Sequence, residues 1–557
     1  MKNLVLRYIV FSIATVFVCV QVAIAQVNDP VPAPIEFGTI SVELEDVATI
    51  PSSSTSRPLA RINILKTSKD NSNRHFLNDL RGKLYVINGG VPSVYLDLDA
   101  QRPDFVDSPG LGTGFGMFEF HPEFQNNGIF YTTHAEQANS GTPDFTPPIT
   151  VSISLQWVLT EWTATDPTAN VFSGSSREMM RVDFPGTIHG MQDMSFNPTA
   201  VSGESDYGML YLCLGDAGVT LGGSPGNTQK FNSILGNIVR IDPLGNNSGN
   251  GQYGIPVDNP YATAQGDTIR EIWTRGFRNP HRISWDTGGD NKMLIGDIGE
   301  RNLEEINLGA PGLNYGWNKR EGTFLFEYQT RDFVYPLPAN DSTFNYTYPV
   351  AQYDHDEGFG IVGGFVYRGT NVPALIGKYV FGDIVRGRIF YVEVDSLVQG
   401  RQAEDIKELR LFQNGNEVTL LQLVGNTRAD LRFGVDDQQE MYVLTKQDAV
   451  VRMMKPSSAT GIGGLDNAVP QEFALLQNYP NPFNPTTSIP FVLKRTASVE
   501  LQVFNAAGQL VDQKSTSVLP IGEHTLEWGS GDLSSGVYLY RVTANGQSQM
   551  RKMLLLK

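Results

Sequence analysis

Four short segments set chemically capable side chains beside glycine or proline turns, where a side chain can be aimed into a cleft. Thr187-Ile188-His189-Gly190-Met191-Gln192 offers an imidazole next to a glycine, and neutral imidazole is a natural proton acceptor near pH 7. A single histidine is more often structural, as His121 is read in Phe120-His121-Pro122. Leu214-Gly215-Asp216-Ala217-Gly218 places a carboxylate at a strand end, able to orient a histidine, hold a metal or cap a turn. In Gly276-Phe277-Arg278-Asn279-Pro280 the proline pins the turn, so Arg278 and Asn279 hold fixed directions. Arg278 can then stabilise negative charge developing on an oxygen; pairing with an acid is its structural alternative. Gly296-Asp297-Ile298-Gly299-Glu300, followed by Glu304 and Glu305, offers the hard oxygens that calcium takes, or a solvated acidic loop. Arg386 and Arg388 could clamp carboxylates bidentately, or simply carry surface charge.

These groups need a rigid frame, and a repeated pattern supplies one. A turn residue followed by an apolar-aromatic strand recurs six times: GKLYVIN from Gly82, GIFYTTH from Gly128, GMLYLCLGD from Gly208, NKMLIGD from Asn291, GKYVFGD from Gly377 and QEMYVLT from Gln439. One strand unit repeated with turn punctuation predicts an all-β fold, a six-bladed β-propeller over residues 61–455, with an array of sandwiches as the rival. Residues 26–60, rich in Pro, Ser and Thr, read as an N-terminal leader or an early strand, and 456–470 as a linker. Beyond it, alternating strands with Gly and Asn turns predict a small C-terminal β-sandwich over 471–557.

Residues 1–25 read as a secretory signal: Lys2 and Arg7, then the apolar stretch Leu4 to Val22, then Ala23-Ile24-Ala25 before Gln26. No later apolar stretch is long enough to span a membrane. The formal net charge of −17 over 557 residues argues against a nucleic-acid partner, which needs a basic footprint. Removal of the signal leaves Cys213 alone, so no intramolecular disulfide forms, and its setting in MLYLCL predicts a buried strand residue. The glycine run from Gly110 to Gly116 is followed by FEFHPEF and lacks the strand-turn-helix setting of a dinucleotide phosphate cradle.

Taken in order, the segments resemble the glucose/sorbosone dehydrogenase family of soluble quinoproteins. The carriers are GLGTGFGMFEFHPEF with NNGIFY, HGMQDMSF with GMLYLCLGDAG, SILGNIVRIDP with IPVDNPY, WTRGFRNPHRISWD with GDIGERNLEEIN and GLNYGWNKREG, and IVGGFVYRG with KYVFGDIVRGRIF. The resemblance covers roughly residues 60–455 and implies pyrroloquinoline quinone (PQQ) and calcium as cofactors. It implies that His189 removes a sugar hydroxyl proton, with Asp216 the acid in the active site. Arg278 and Asn279 would meet the reactive quinone carbonyl, Arg386 with Arg388 the cofactor carboxylates, and the Gly299 and Glu300 backbone carbonyls the calcium. Two positions depart from the family pattern: Gly112 stands where a sugar-contacting glutamine is expected, and Gly190 where the better-known members carry asparagine. The implied activity is hydride transfer from an aldose sugar or related alcohol to the quinone, then to an electron acceptor; the alternative is a silent scaffold that binds carbohydrate or a surface.

The C-terminal segment resembles the sorting domains of the type IX secretion system, through LLQNYPNPFNPTTSIPF, VFNAAGQLV, LSSGVYLYRV and the basic-then-apolar end. That resemblance implies the type IX machinery as a partner and a product secreted or attached to the cell surface after crossing the periplasm of a Gram-negative bacterium.

Overall fold

Each of the six repeated segments forms a strand, because its alternating aromatic and β-branched residues pack on both sheet faces while Gly or Asn turns the chain. The computed structural model describes residues 25–70, 72–109, 112–403, 405–457, 473–475, 478, 480–493, 495–505, 509–544 and 547–557. The expected signal up to residue 24, and the expected linker from residue 458, lie outside these residues. Among the described residues strand makes up 44% and helix 6%, so the protein is mostly β as expected. The chain divides into two compact units, Met1–Ser458 and Ala459–Lys557.

Within the first unit, three four-stranded antiparallel sheets begin at Phe115–Phe120, Met191–Phe196 and Pro280–Trp285. A thirteen-stranded sheet contains three more antiparallel groups of four, plus the short strand Asn416–Val418. These groups begin at Ile62–Thr67, Ile361–Val366 and Leu431–Val435, and are joined by two parallel pairings. The six first strands lie side by side in chain order, and the last lies beside the first. They are buried along nearly their whole length; Pro280–Trp285 is buried at every residue. Five of the repeated segments are the second strand of their group, whereas Lys83–Asn88 is a third strand. The spacing of the copies was uneven partly for that reason.

The sixth group is completed from the other end of the chain. Phe37–Thr49 pairs antiparallel with Val450–Pro456, and parallel with Lys407–Gln413 of the fifth group. Val42 and Leu44 are buried on it. The region expected as a leader therefore contains a strand of the fold, the second of the two readings the sequence left open. Cys213 is buried and unbonded, as its setting predicts.

In the C-terminal unit, strands Phe473–Leu475, Thr486–Leu493 and Gly522–Gly529 make one antiparallel sheet, and Leu510–Ser515, Val499–Asn505, Gly536–Ala544 and Gln547–Leu555 another. Both contribute to one core that includes Ile489, Phe491, Leu501, Val503, Trp528 and Tyr540. Burial alternates along Thr486–Leu493 with the period of two that its sequence shows.

Candidate functional site

Successive strands run antiparallel, so the starts of the six first strands and the ends of the second strands share one face of the first unit. A device repeats there. Asp79 accepts the backbone N–H of Arg61 at 3.0 Å. Asp297 accepts those of Arg278 and Asn279 at 3.1 and 2.6 Å, and Asp383 those of Phe359 and Gly360 at 2.6 and 3.0 Å. Each carboxylate at the end of a second strand thus pins the loop entering its group. Asp216 stands in the same place but takes a side chain instead: His189 Nδ1 donates to its Oδ1 at 2.7 Å.

That exchange sets the state of the imidazole. Asp216 also accepts from Gly218 N at 2.8 Å and from Trp317 Nε1 at 3.1 Å. Burial pushes its carboxyl up, but the hydrogen bond and charge of His189, the Arg278 charge and the other donors outweigh burial and hold it at about 2. Burial first, and the Arg278 charge second, hold His189 below its ordinary 6.5. The ring is therefore neutral near pH 7, its proton fixed on Nδ1 and the Nε2 lone pair left as the acceptor. The backbone at His189 is left-handed, with φ of +55°, which turns the side chain out of line with the strand that follows.

Two glycines make that turn possible. A Cβ at Gly215 would stand 2.5 Å from the His189 Cβ, and one at Gly190 would fall inside the Trp157 indole. The indole fills the space that a side chain at 190 would occupy, which is the physical reason asparagine is absent there. Gly190→Ala is expected to destabilise the chain by about 1–3 kcal/mol, the range for overpacking, while Gly249→Ala, which meets nothing within 4 Å, stays within about 0.5 kcal/mol. Chemical denaturation of the two variants checks this. The same logic holds at Gly112: its carbonyl accepts Gln192 Nε2 at 2.7 Å, and a Cβ there would collide with that amide.

A cavity of about 240 Å³ opens on this face with walls from all six groups, among them Asn63, Gly112, His189, Asn279, Phe359 and Arg432. Of the expected site residues, His189 and Asn279 line it, with Asp216 bound behind His189. Arg278 lies close enough for its charge to act on His189, but its guanidinium is paired with an acid. Its Nε and Nη2 donate to Glu300 Oε2 at 3.1 and 2.6 Å, and Nη1 to the Ile298 carbonyl at 3.1 Å. Arg278 is thus paired with an acid beside the cavity, and Asn279 is its neighbour on the cavity wall.

The expected carboxylate clamp is differently placed. Arg388 is closed on the chain's own carboxylates, Glu357 and Glu408, and is absent from the wall. Arg386 donates to the Asp356 carbonyl at 2.5 Å and lies 4.6 Å over the ring of Phe359, which does line the cavity. The cations in the wall are Arg428 and Arg432, which the motifs did not single out. Arg432 sits in LRFGV at the start of a first strand, as Arg282 sits in PHRISW, and that shared placement was the available signal. Gln192, Asn63 and His281 were missed for the same reason: they lie on first strands, whereas the legible repeat marks the second.

The acidic loop is folded around Glu321. Its Oε1 accepts the backbone N–H groups of Glu300, Arg301, Asn302 and Leu303 at 2.7 to 3.2 Å. Among the described residues the carbonyls of Gly299 and Glu300 accept no hydrogen bond, while the Glu300 carboxylate is held by Arg278. Those carbonyls are neutral hard oxygens of the kind calcium takes.

A family model described as Glucose / Sorbosone dehydrogenase matches residues 70–432, more than half of the chain. The chain belongs to the glucose/sorbosone dehydrogenase family. The matched span takes in His189, Asp216, Arg278, Arg428 and Arg432, so this dehydrogenase-family segment holds the cavity wall apart from Asn63. A second model, the secretion system C-terminal sorting domain, matches residues 477–556. Among curated relatives, the HIPL1 protein of Arabidopsis thaliana is 27% identical over 441 residues, 70% of this chain and 60% of that protein. The quinoprotein glucose dehydrogenase B of Acinetobacter calcoaceticus is 25% identical over 242 residues, 42% of this chain and 46% of that enzyme. The chain thus spans about half the length of these relatives. Among solved structures, the PQQ-bound aldose sugar dehydrogenase of Streptomyces coelicolor superposes with a TM-score of 0.48 at 16% identity, covering 74% of this chain and 98% of that one.

Proposed function

We propose that this chain is an exported quinoprotein oxidoreductase that oxidises an aldose sugar or related alcohol with PQQ and calcium. One observation carries the reading: a neutral His189, its tautomer fixed by Asp216, faces a cavity whose wall, among the described residues, holds the cations Arg428 and Arg432 and no carboxylate. Asp430 is paired with Arg428, and its charge only partly offsets the burial of Arg432 and Lys446. Burial, then the Arg282 charge, pulls Arg432 down to about 9, and burial with the Arg432 charge pulls Lys446 well below its usual value. His281 adds a buried Nδ1 that has no hydrogen-bond partner among the described residues. A polycarboxylate quinone fits such a wall.

Arg428 and Arg432 would hold the carboxylates of PQQ, and the Gly299 and Glu300 carbonyls a calcium ion that polarises the cofactor as a Lewis acid. PQQ supplies the two-electron acceptor when bound. His189 Nε2 takes the substrate's hydroxyl proton, and Asp216 holds the ring in place and stabilises the imidazolium that forms. Ile188, Ile298 and Ile384 contribute apolar surface to the wall beside that base. Arg278 contributes its charge from beside the cavity, tempered by Glu300.

The six antiparallel groups then read as six propeller blades, closed by the N-terminal strand, and the C-terminal unit as the sorting sandwich read by the type IX machinery, with a cell-surface or secreted destination. A sugar panel assayed on the purified protein with PQQ, calcium and an artificial electron acceptor tests the activity. Turnover is expected, with the acid limb of its pH profile below pH 6.5, because protonation of His189 removes the base as pH falls through its depressed value. Failure to bind PQQ at micromolar concentration would overturn the reading. The Arg278–Glu300 pair favours a second reading, a binding scaffold without turnover; sugar binding retained by a PQQ-loaded but inactive protein would select it.

A further inference from the structure

We infer that the opposite end of the ring of first strands is a second binding site, for a neutral saccharide. The six strands that begin at the first cavity end at another one, of about 500 Å³, within the roughly 300–1,000 Å³ usual for ligand sites. Each of the six groups contributes to its wall: Lys66, Glu119, Ser195, Trp285, Phe365 and Asp437 in chain order. A buried polar layer lies between the two cavities. Arg282 donates to the carbonyls of Gln192 and His281 at 3.0 and 2.7 Å and to Asn63 Oδ1 at 2.8 Å, and Arg432 Nε donates to the same oxygen at 3.1 Å. The two ends therefore present separate chemistry.

Their charges are opposite in character. Among the described residues the first cavity has two arginines and no acid in its wall, whereas the second has Glu119, Asp193, Asp436 and Asp437 against Lys66 and Lys69. An anion that suits one end is repelled at the other. Lys66 is paired with Glu119 and also donates to the Met194 carbonyl at 3.2 Å, while Asp193, Asp436 and Asp437 accept from Ile283 N, Glu440 N and the Thr67 hydroxyl, so the wall carboxylates are already hydrogen-bonded within the chain. Among the described residues no cluster of three His, Cys, Asp or Glu side chains could hold a metal ion. The other polar groups include the hydroxyls and amides of Thr67, Ser195, Thr287, Asn197 and Gln439, beside the His121 imidazole. The same wall contains the rings of Phe120, Phe196, Trp285 and Phe365. Hydroxyl and amide partners in one wall with aromatic rings match a sugar, whose ring presents hydroxyls at its rim and C–H groups on its faces.

Isothermal titration of the full chain, prepared without cofactor, with cellobiose, maltose and N,N′-diacetylchitobiose as probes tests the site. At least one probe is expected to bind at millimolar concentration or tighter. Ser195→Trp, which fills the cavity, should weaken it by about tenfold or more, while His189→Ala leaves it within about twofold. Thr287→Trp, on the exposed rim, gives the same readout without disturbing the buried wall, and thermal unfolding shows that each variant is folded. Absence of binding by all three probes, or binding lost in His189→Ala and kept in folded Ser195→Trp and Thr287→Trp, overturns the proposal.

Discussion

Replacing His189 by alanine is expected to lower turnover of the PQQ-loaded protein by about 10²–10⁴-fold, the usual worth of a positioned general base, with little change in KM. Among the described residues the one hydrogen bond of the side chain is to Asp216, which keeps Gly218 and Trp317 as donors after the ring is gone. Asp216→Asn is the sharper test. Every group around that carboxylate is a donor, so an amide N–H must face one of them, and the His189 proton loses its fixed place on Nδ1. About a hundredfold loss in kcat is expected, with the acid limb displaced, because the anion that steadies the imidazolium is gone. Measurement of kcat and KM across pH, with circular dichroism to confirm folding, decides it. Full activity in His189→Ala would remove the base from the mechanism.

Deleting residues 26–50 is expected to abolish cooperative folding of the first unit. The strand Phe37–Thr49 buries Val42 and Leu44, and Ile50 follows it into the core. At about 1.5–3 kcal/mol for each of these three side chains, the loss is on the order of 5–9 kcal/mol, against a usual domain stability of about 5–15 kcal/mol. The deletion also uncovers the edge strands Val450–Pro456 and Lys407–Gln413, which invites aggregation. Leu44→Ala alone should cost about 2–5 kcal/mol, whereas Glu45→Ala, an exposed residue 3.8 Å from Lys455, stays within about 0.5 kcal/mol. Denaturant unfolding of the three variants checks the series. A deletion variant that melts like the parent would return this segment to the status of a loose leader.

How much of this was legible beforehand varies by residue. The second strands were visible because their turn-bounded aromatic runs recur; the first strands were not, because strands buried on both faces read as unpunctuated apolar runs with isolated polar residues such as Asn63, Arg282 and Arg432. His189 and Asp216 could each be nominated from a glycine-flanked turn, but nothing local distinguished Asp216 from Asp79, Asp297 or Asp383, which have the same position and pin backbone instead. Arg386 and Arg388 were nominated for charge and spacing, and only the location of Glu357, Glu408 and Phe359 showed where that charge goes.

The amino-acid sequence by itself determined the mostly-β character and the family motifs, and it nominated His189 and Asp216, because turns, alternation and short-range spacing are properties of neighbours along the chain. Tertiary structure alone decided that the N-terminal strand completes the last group, that Glu300 holds Arg278, and that Arg428 and Arg432 are the cations facing the cavity. Those outcomes depend on which of several equivalent carboxylates and strand edges lies within reach once the six groups meet, and distance through space is not encoded at any one position of the chain.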